Sequence, residues 1–291
     1  MKIAASSYSF SQYLNNGQMT QLDCVAKAKD MGFDAIEFVE LRPPEGTSPL
    51  DYAKALREEC ERHSMPVSNF TVGAELLHPS TTLEDEIERV KAMVDLAAVL
   101  GAPSMRHDAT AGYAPGARSY HGFRDALAVV APACRAITEY AAEKGIRTMV
   151  ENHGFFCQDS ERVEALVNTV AHENFGLLAD MGNFLCADED PAAAFGRVAP
   201  YAFYVHAKDF HVKNGGGCNP GEGFSRSRGG HYLRGAIIGH GDVPLRSCLA
   251  ALRDSGYRGN IAVEFEGMED CLTGLRIGLA NLRRAIADTE R

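Results

Sequence analysis

One unit recurs along this chain. A short apolar or β-branched run is followed by a turn and then by a helical stretch whose apolar residues are spaced three and four apart. Eight such units can be read in succession, each of roughly thirty residues apart from one that carries a long glycine-rich stretch. Strands separated by helices cannot pair as hairpins, so they cross over and lie parallel. Eight of them close a parallel sheet on itself. The expected architecture is therefore α/β, a (β/α)8 TIM barrel forming a single domain over residues 1–291. An open doubly wound sheet is the runner-up, but the first strand-to-helix turn has no G-x-G-x-x-G loop and nothing downstream resembles a nucleotide site.

Taken in order, Lys2 to Tyr8 reads as the first strand and Met19 to Met31 as a helix stopped by Gly32. Asp34–Val39 is the second strand, with Glu37 and Glu40 at its end, expected to support the site or face solvent. Leu50–His63 is the next helix and Pro66–Val72 the third strand. Thr81-x-x-Glu84 reads as a capping box opening a long helix that Gly101 ends. A weak fourth strand, Pro103–Arg106, runs into His107-Asp108, and a helix spans Gly122 to Lys144. Helices follow at Ser160–Val170, Pro191–Val198, Leu245–Ser255 and Thr273–Ala287.

Four consecutive strands share a design. Thr148-Met149-Val150 runs into Glu151, Gly176-Leu177-Leu178-Ala179 into Asp180, Phe203-Tyr204-Val205 into His206, and Ile261-Ala262-Val263 into Glu264. All strand C-termini of such a barrel meet on one face, so residues far apart in sequence can converge there. Glu151, Asp180, His206 and Glu264 are therefore expected to share one divalent metal. Three carboxylates and one imidazole form a mostly hard donor set, which favours Mn²⁺, then Mg²⁺ or Co²⁺, with Zn²⁺ the remaining alternative. His153 either contacts substrate or caps its turn. His107 is expected to line the pocket, and His78, followed by Pro79, to be a loop residue.

Charge narrows the partners. The net charge is −10 and no Lys/Arg run stands out, which excludes nucleic acid as a default partner. The eight cysteines are scattered without a C-x-x-C, so neither a zinc knuckle nor a disulfide framework is expected. No apolar run reaches the ~18 residues needed to span a bilayer, and the N-terminus has no signal-peptide core, so a cytoplasmic location is expected.

The motifs Val150-Glu151-Asn152-His153-Gly154, Ala179-Asp180-Met181-Gly182-Asn183, Val205-His206-Ala207-Lys208-Asp209, Gly239-His240-Gly241-Asp242-Val243 and Ile261-Ala262-Val263-Glu264-Phe265 resemble the xylose isomerase-like TIM barrels. That family includes sugar and sugar-phosphate isomerases and epimerases, inosose dehydratase and the apurinic endonucleases. The resemblance covers essentially the whole length. It implies that Glu151, Asp180, His206 and Glu264 bind the metal, with Glu151 and Glu264 as the catalytic acid–base pair. Asn183 stands where the tagatose-epimerase type carries a histidine, and His240 where the family often has glutamate. Lys208-Asp209 looks more like the inosose-dehydratase branch. Substrate contacts are thus expected from His153, Asn183, Lys208 and His107, with Lys208 binding a carbonyl oxygen, a carboxylate or a phosphate, and Asp209 orienting a neighbour or pairing with an arginine.

Such a site supports a divalent-metal-dependent isomerase or epimerase acting on a small sugar or keto-sugar through an enediolate, the two glutamates moving the proton. The alternative is a lyase of the inosose-dehydratase or 3-keto-glycoside-eliminating type. An apurinic endonuclease would need three metals and a basic groove, which the net charge opposes. A non-enzymatic sugar-binding barrel would have no reason to keep all four ligands. Barrels of this type often pair, so a homo-oligomer is compatible with the chain. The stretch 211–237, with eight glycines, reads as a loop insertion and a candidate lid or subunit contact, whose Arg226, Arg228 and Arg234 could meet an anionic group on the substrate.

Overall fold

A computed structural model describes residues 1–114, 116 and 120–290. Eight parallel strands close the barrel: β1 (Lys2–Ser6), β2 (Ala35–Val39), β3 (Val67–Val72), β4 (Ser104–His107), β5 (Arg147–Glu151), β6 (Phe175–Asp180), β7 (Ala202–Ala207) and, after an excursion, β11 (Asn260–Val263), which returns to pair with β1. Register sets the site. Asp180 pairs with His206 across β6 and β7, and Ala262 pairs with His206 across β11 and β7, so the ligand-bearing tips end at one level.

Alternation along each strand divides the side chains into two cores. Ala4, Ala35, Met149, Leu178, Tyr204 and Ala262 fill the barrel interior. Small residues on β1, β2 and β11 make room for the Tyr204 ring, whose hydroxyl lies 2.7 Å from Ser68 Oγ, so the polar end of a fully buried ring is satisfied. The other faces pack on the surrounding helices α2 (Gln21–Met31), α3 (Pro49–Arg62), α4 (Leu83–Leu100), α5 (Phe123–Glu143), α6 (Ser160–Val170), α8 (Pro191–Val198), α9 (Leu245–Asp254) and α10 (Cys271–Thr289). Short helices α1 (Ser11–Asn15) and α7 (Asn183–Cys186) lie on the loops after β1 and β6. Six cysteines are buried as small apolar residues.

Helix boundaries follow the capping chemistry. Thr20 and Asp23 make a reciprocal capping box at the start of α2, and Gly32 closes it in a left-handed conformation. The cap of α4 differs from the sequence expectation by one residue. Thr82, not Thr81, accepts the backbone N–H of Asp85, because the Thr81 hydroxyl turns to the Thr82 carbonyl instead.

Part of the segment expected as an irregular insertion is paired. β8 (Asp209–Lys213), β9 (Ser225–Arg226) and β10 (Tyr232–Ala236) form a three-stranded antiparallel sheet over the C-terminal rim. Its glycines let backbones approach rather than only loosen the chain. A side chain at Gly235 would run into the Glu266 carbonyl, where β10 bridges to Gly267 behind β11. The far end is tied down by Ser227 and Gly229 to the Asp188 carboxylate and by the Arg228 N–H to the Cys186 carbonyl, 2.8 Å.

Candidate metal centre

The four expected ligands meet. One donor atom from each of Glu151, Asp180, His206 and Glu264 lies within 4.8 Å of all the others, and all four residues are buried. Among the described residues this is the one group of three or more such side chains so arranged. His206 Nδ1 sits 3.8 Å from Glu151 Oε1, 3.8 Å from Asp180 Oδ2 and 3.3 Å from Glu264 Oε2.

Each donor is oriented from behind. The His206 Nε2–H donates to Glu37 Oε2 at 2.8 Å, which turns Nδ1 toward the cluster. Asp180 Oδ1 accepts the backbone N–H groups of Gly182 and Asn183 at 2.7 and 3.0 Å, leaving Oδ2 forward. Asn152 clamps β5 to β6 by bonding both the N–H and the carbonyl of Asp180. Glu37 is itself fully buried and held by Asn69 and Thr71, so it supports the site rather than facing solvent.

His206 Nδ1, Asp180 Oδ2 and Glu264 Oε2 are buried without a hydrogen-bond partner, although Lys208 Nζ lies at ion-pair distance from the two oxygens. Buried polar atoms are ordinarily paired, so three such atoms aimed at one point fit a missing cation. Charge agrees. Burial pushes Asp180 up to about 7, with Glu264 and Glu151 adding to it and Lys208 opposing. Burial likewise opposes a charge on His206, but the Glu37 and Glu264 carboxylates raise its pKa well above the usual range. In other words, a positive charge is stabilised where the ion would sit. The three carboxylates and one imidazole suit a divalent ion, and these residues fit it.

The other expected contacts divide. Asn183 is buried and bridges the site, donating to Glu151 Oε1 at 2.9 Å and accepting from Lys208 Nζ at 3.2 Å. Lys208 is buried against Asp180 (3.2 Å), Glu264 (2.6 Å) and Glu266 (2.7 Å). His153 lies half exposed at the rim, its Nδ1–H donating to Asp108 Oδ1 at 2.9 Å. Burial lowers its pKa, but the Asp108 bond and the Glu151 charge outweigh that and raise it. Asp209 pairs with no arginine among the described residues. It accepts the N–H groups of Phe210, Gly239, Gly241 and Val243 and so shapes the loop ahead of α9. His78 and His240 are exposed on loops.

Sequence reasoning chose the wrong neighbour on β4. The strand extends to His107, and alternation sends His107 outward, where its ring packs near Phe175 and its Nδ1–H donates to the Asp108 carbonyl at 2.8 Å. Arg106 points inward instead, 2.7 Å from Glu151 Oε2 and 2.8 Å from Asp108 Oδ1. The signal was available, since a period of two places Ser104 and Arg106 on one face. Burial disfavours its charge, but Glu151 and Asp108 hold Arg106 protonated, while Arg106 and His153, against burial, hold Asp108 at about 2.

A family model described as xylose isomerase-like TIM barrel matches residues 25–285. A relative from Escherichia coli K12, described as uncharacterized protein YihM, is 29% identical over 178 residues, 60% of this chain and 47% of that protein. The chain spans about half the length of the curated relatives it matches. Its fold is that of D-psicose 3-epimerase from Clostridium cellulolyticum (TM-score 0.74, 15% identity, 98% of this chain and 99% of that one). It is equally that of the probable 3-DHS dehydratase AsbF from Bacillus anthracis (0.69, 19%, 97% and 98%). No helix among the described residues is long and apolar enough to cross a membrane. With the model match covering most of its length, the chain belongs to the xylose isomerase-like TIM barrel family.

Proposed function

We propose that this protein is a divalent-metal-dependent isomerase or epimerase of a small sugar or keto-sugar, with Glu151 and Glu264 as the acid–base pair. The observation that carries the reading is the convergence of four strand-end donors, three of them with buried atoms left without a hydrogen bond. The ion would be held by Glu151, Asp180, His206 and Glu264. Mn²⁺ is the first choice and Mg²⁺, Co²⁺ or Zn²⁺ the alternatives. When bound, it supplies Lewis acidity that favours ionisation next to a carbonyl.

The protein's own groups do the rest. Glu151 is fixed by Arg106 on one oxygen and Asn183 on the other, and Glu264 by Lys208, so the two carboxylates are held in place by different partners. One removes a proton α to the carbonyl and the other returns it. Lys208 and Asn183 are placed to bind substrate oxygens, and His153, oriented by Asp108, to reach them from the rim. His107, on the opposite face of β4, has no part in this scheme.

The test is proton NMR in deuterated water with Mn²⁺ and a panel of ketoses, keto-inositols and their phosphates. The wild type should exchange the proton α to the carbonyl of one member, and Glu151→Gln and Glu264→Gln should each lose that exchange. Exchange retained in either variant contradicts the two-carboxylate scheme.

A second reading, elimination of a β-hydroxyl, is favoured by one observation. Beyond the two glutamates, the site holds a third acid–base group, His153 on Asp108, able to protonate a departing hydroxyl. An ultraviolet-absorbing enone product selects this reading over epimerisation.

A further inference from the structure

The antiparallel excursion brings Arg228 to a second cavity, about 620 Å³, whose lining includes none of the metal-centre residues. Its walls come from the loop after β5 (Gly154 to Phe156), the start of α5 (Phe123), α6 (Arg162) and the excursion itself (Arg228). Gly154 follows Glu151 by three residues, so their Cα atoms are at most about 11 Å apart. The cavity therefore adjoins the mouth of the barrel.

Phe155 is the feature that calls for a reason. It stands at φ 62°, a left-handed conformation that a bulky residue rarely adopts, and it is 49% exposed. Its N–H donates to Gln158 and its carbonyl accepts from Arg228, so this conformation is fixed from both sides with the ring in water. Beside it, the Arg162 guanidinium stacks on Phe123 and Phe156 at 5.5 and 5.2 Å. Arg162 Nε and Arg228 Nη1 share a single carboxylate oxygen, Asp159 Oδ2, at 3.3 and 2.8 Å. The described lining contains two arginines and no acid, in a chain of net charge −10. An exposed ring beside guanidinium groups short of one counter-charge matches a carboxylate-bearing ring with an apolar face to lay on Phe155, and the volume is that of a small-molecule site.

We propose that this cavity receives the part of the substrate remote from the reacting carbons, and that this part is a ring bearing a carboxylate, either an aryl acid or a uronate. The word substrate rests on the function proposed above, whereas the preference for an anionic ring does not. Calorimetric titration with phenyl β-D-glucuronide, methyl β-D-glucuronide, benzoate and phenyl β-D-glucoside tests it. At least one carboxylate-bearing probe should bind the wild type and lose affinity at least fivefold in both Phe155→Ala and Arg228→Gln. Benzoate against methyl glucuronide distinguishes the aryl from the uronate source. The Glu264→Gln protein should bind that probe like the wild type. Probe binding with no α-proton exchange on any ketose therefore removes the proposed reaction and leaves this site standing. The site itself is overturned if no carboxylate-bearing probe binds, if neutral phenyl glucoside binds equally well, or if Phe155→Ala binds as tightly as the wild type.

Discussion

His206 and Glu37 form a buried pair, Nε2 to Oε2 at 2.8 Å, both side chains fully shielded from solvent and 169 residues apart in the chain. The pair fixes which nitrogen of the imidazole carries the proton and turns the other toward Glu151, Asp180 and Glu264. Glu37→Gln keeps the shape but removes the charge that makes the ring a better ligand. Metal affinity should fall ten- to a hundredfold while all four ligands remain. Titration of the purified apoprotein with Mn²⁺ measures it, and unchanged affinity would show that Glu37 is only a packing residue.

Metal removal should be felt as stability. Three carboxylates crowd one buried point, and a ligand that binds only the folded chain at a hundred times its dissociation constant adds about 2.7 kcal/mol. Chelation should therefore lower Tm by several degrees, and restored Mn²⁺ should return it. The Glu264→Gln variant should lose most of that response. A melting curve indifferent to both chelator and metal counts against the centre.

Lys208 competes with the cation it helps to surround. Its ammonium is 2.6 Å from Glu264 and 3.2 Å from Asp180, and a unit charge 4 Å away is worth about 4 kcal/mol at an effective dielectric of 20. Lys208→Met should bind Mn²⁺ at least tenfold more tightly, while the metal-free variant becomes less stable than the metal-free wild type. If the same variant also loses at least a hundredfold in kcat, Lys208 acts on substrate as well as on its neighbours. Weaker metal binding in Lys208→Met would contradict the competition.

His107 should make the fold acid-sensitive. Burial pushes its pKa down to about 4 from an ordinary 6.5, and its Nε2 has no hydrogen-bond partner. The unfolded chain takes up this proton first as pH falls. The associated stability, about 3 kcal/mol, is fully present above pH 6.5 and is lost progressively between about 6.5 and 4. His107→Asn keeps a donor for the Asp108 carbonyl. It should be less stable at pH 7 because of the space it leaves, yet flatter in its pH dependence across that window. Urea melts at half-unit pH intervals decide, and parallel curves for the two proteins would remove His107 as the cause.

Much of this molecule was legible before any coordinates. Apolar periodicity and helix stops fix where strands and helices lie to within a residue or two, since those signals are local: Ser160–Val170 and Pro191–Val198 fall where their spacing puts them. That Glu151, Asp180, His206 and Glu264 converge was also legible, because each stands at the end of a buried strand and a closed barrel brings strand ends together whatever their separation in the chain. Three things needed the tertiary structure. Arg106 rather than His107 faces Glu151: alternation puts the two on opposite faces, but which face lines the barrel is decided by how β4 pairs with β5. Glu37 serves His206 through a contact across the barrel that no sequence spacing encodes. Three short strands in and leading into the stretch of eight glycines pair into a sheet that delivers Arg228 to Phe155, since hydrogen bonding between backbones, and the close approach that Gly235 permits, leaves no periodic mark on side chains.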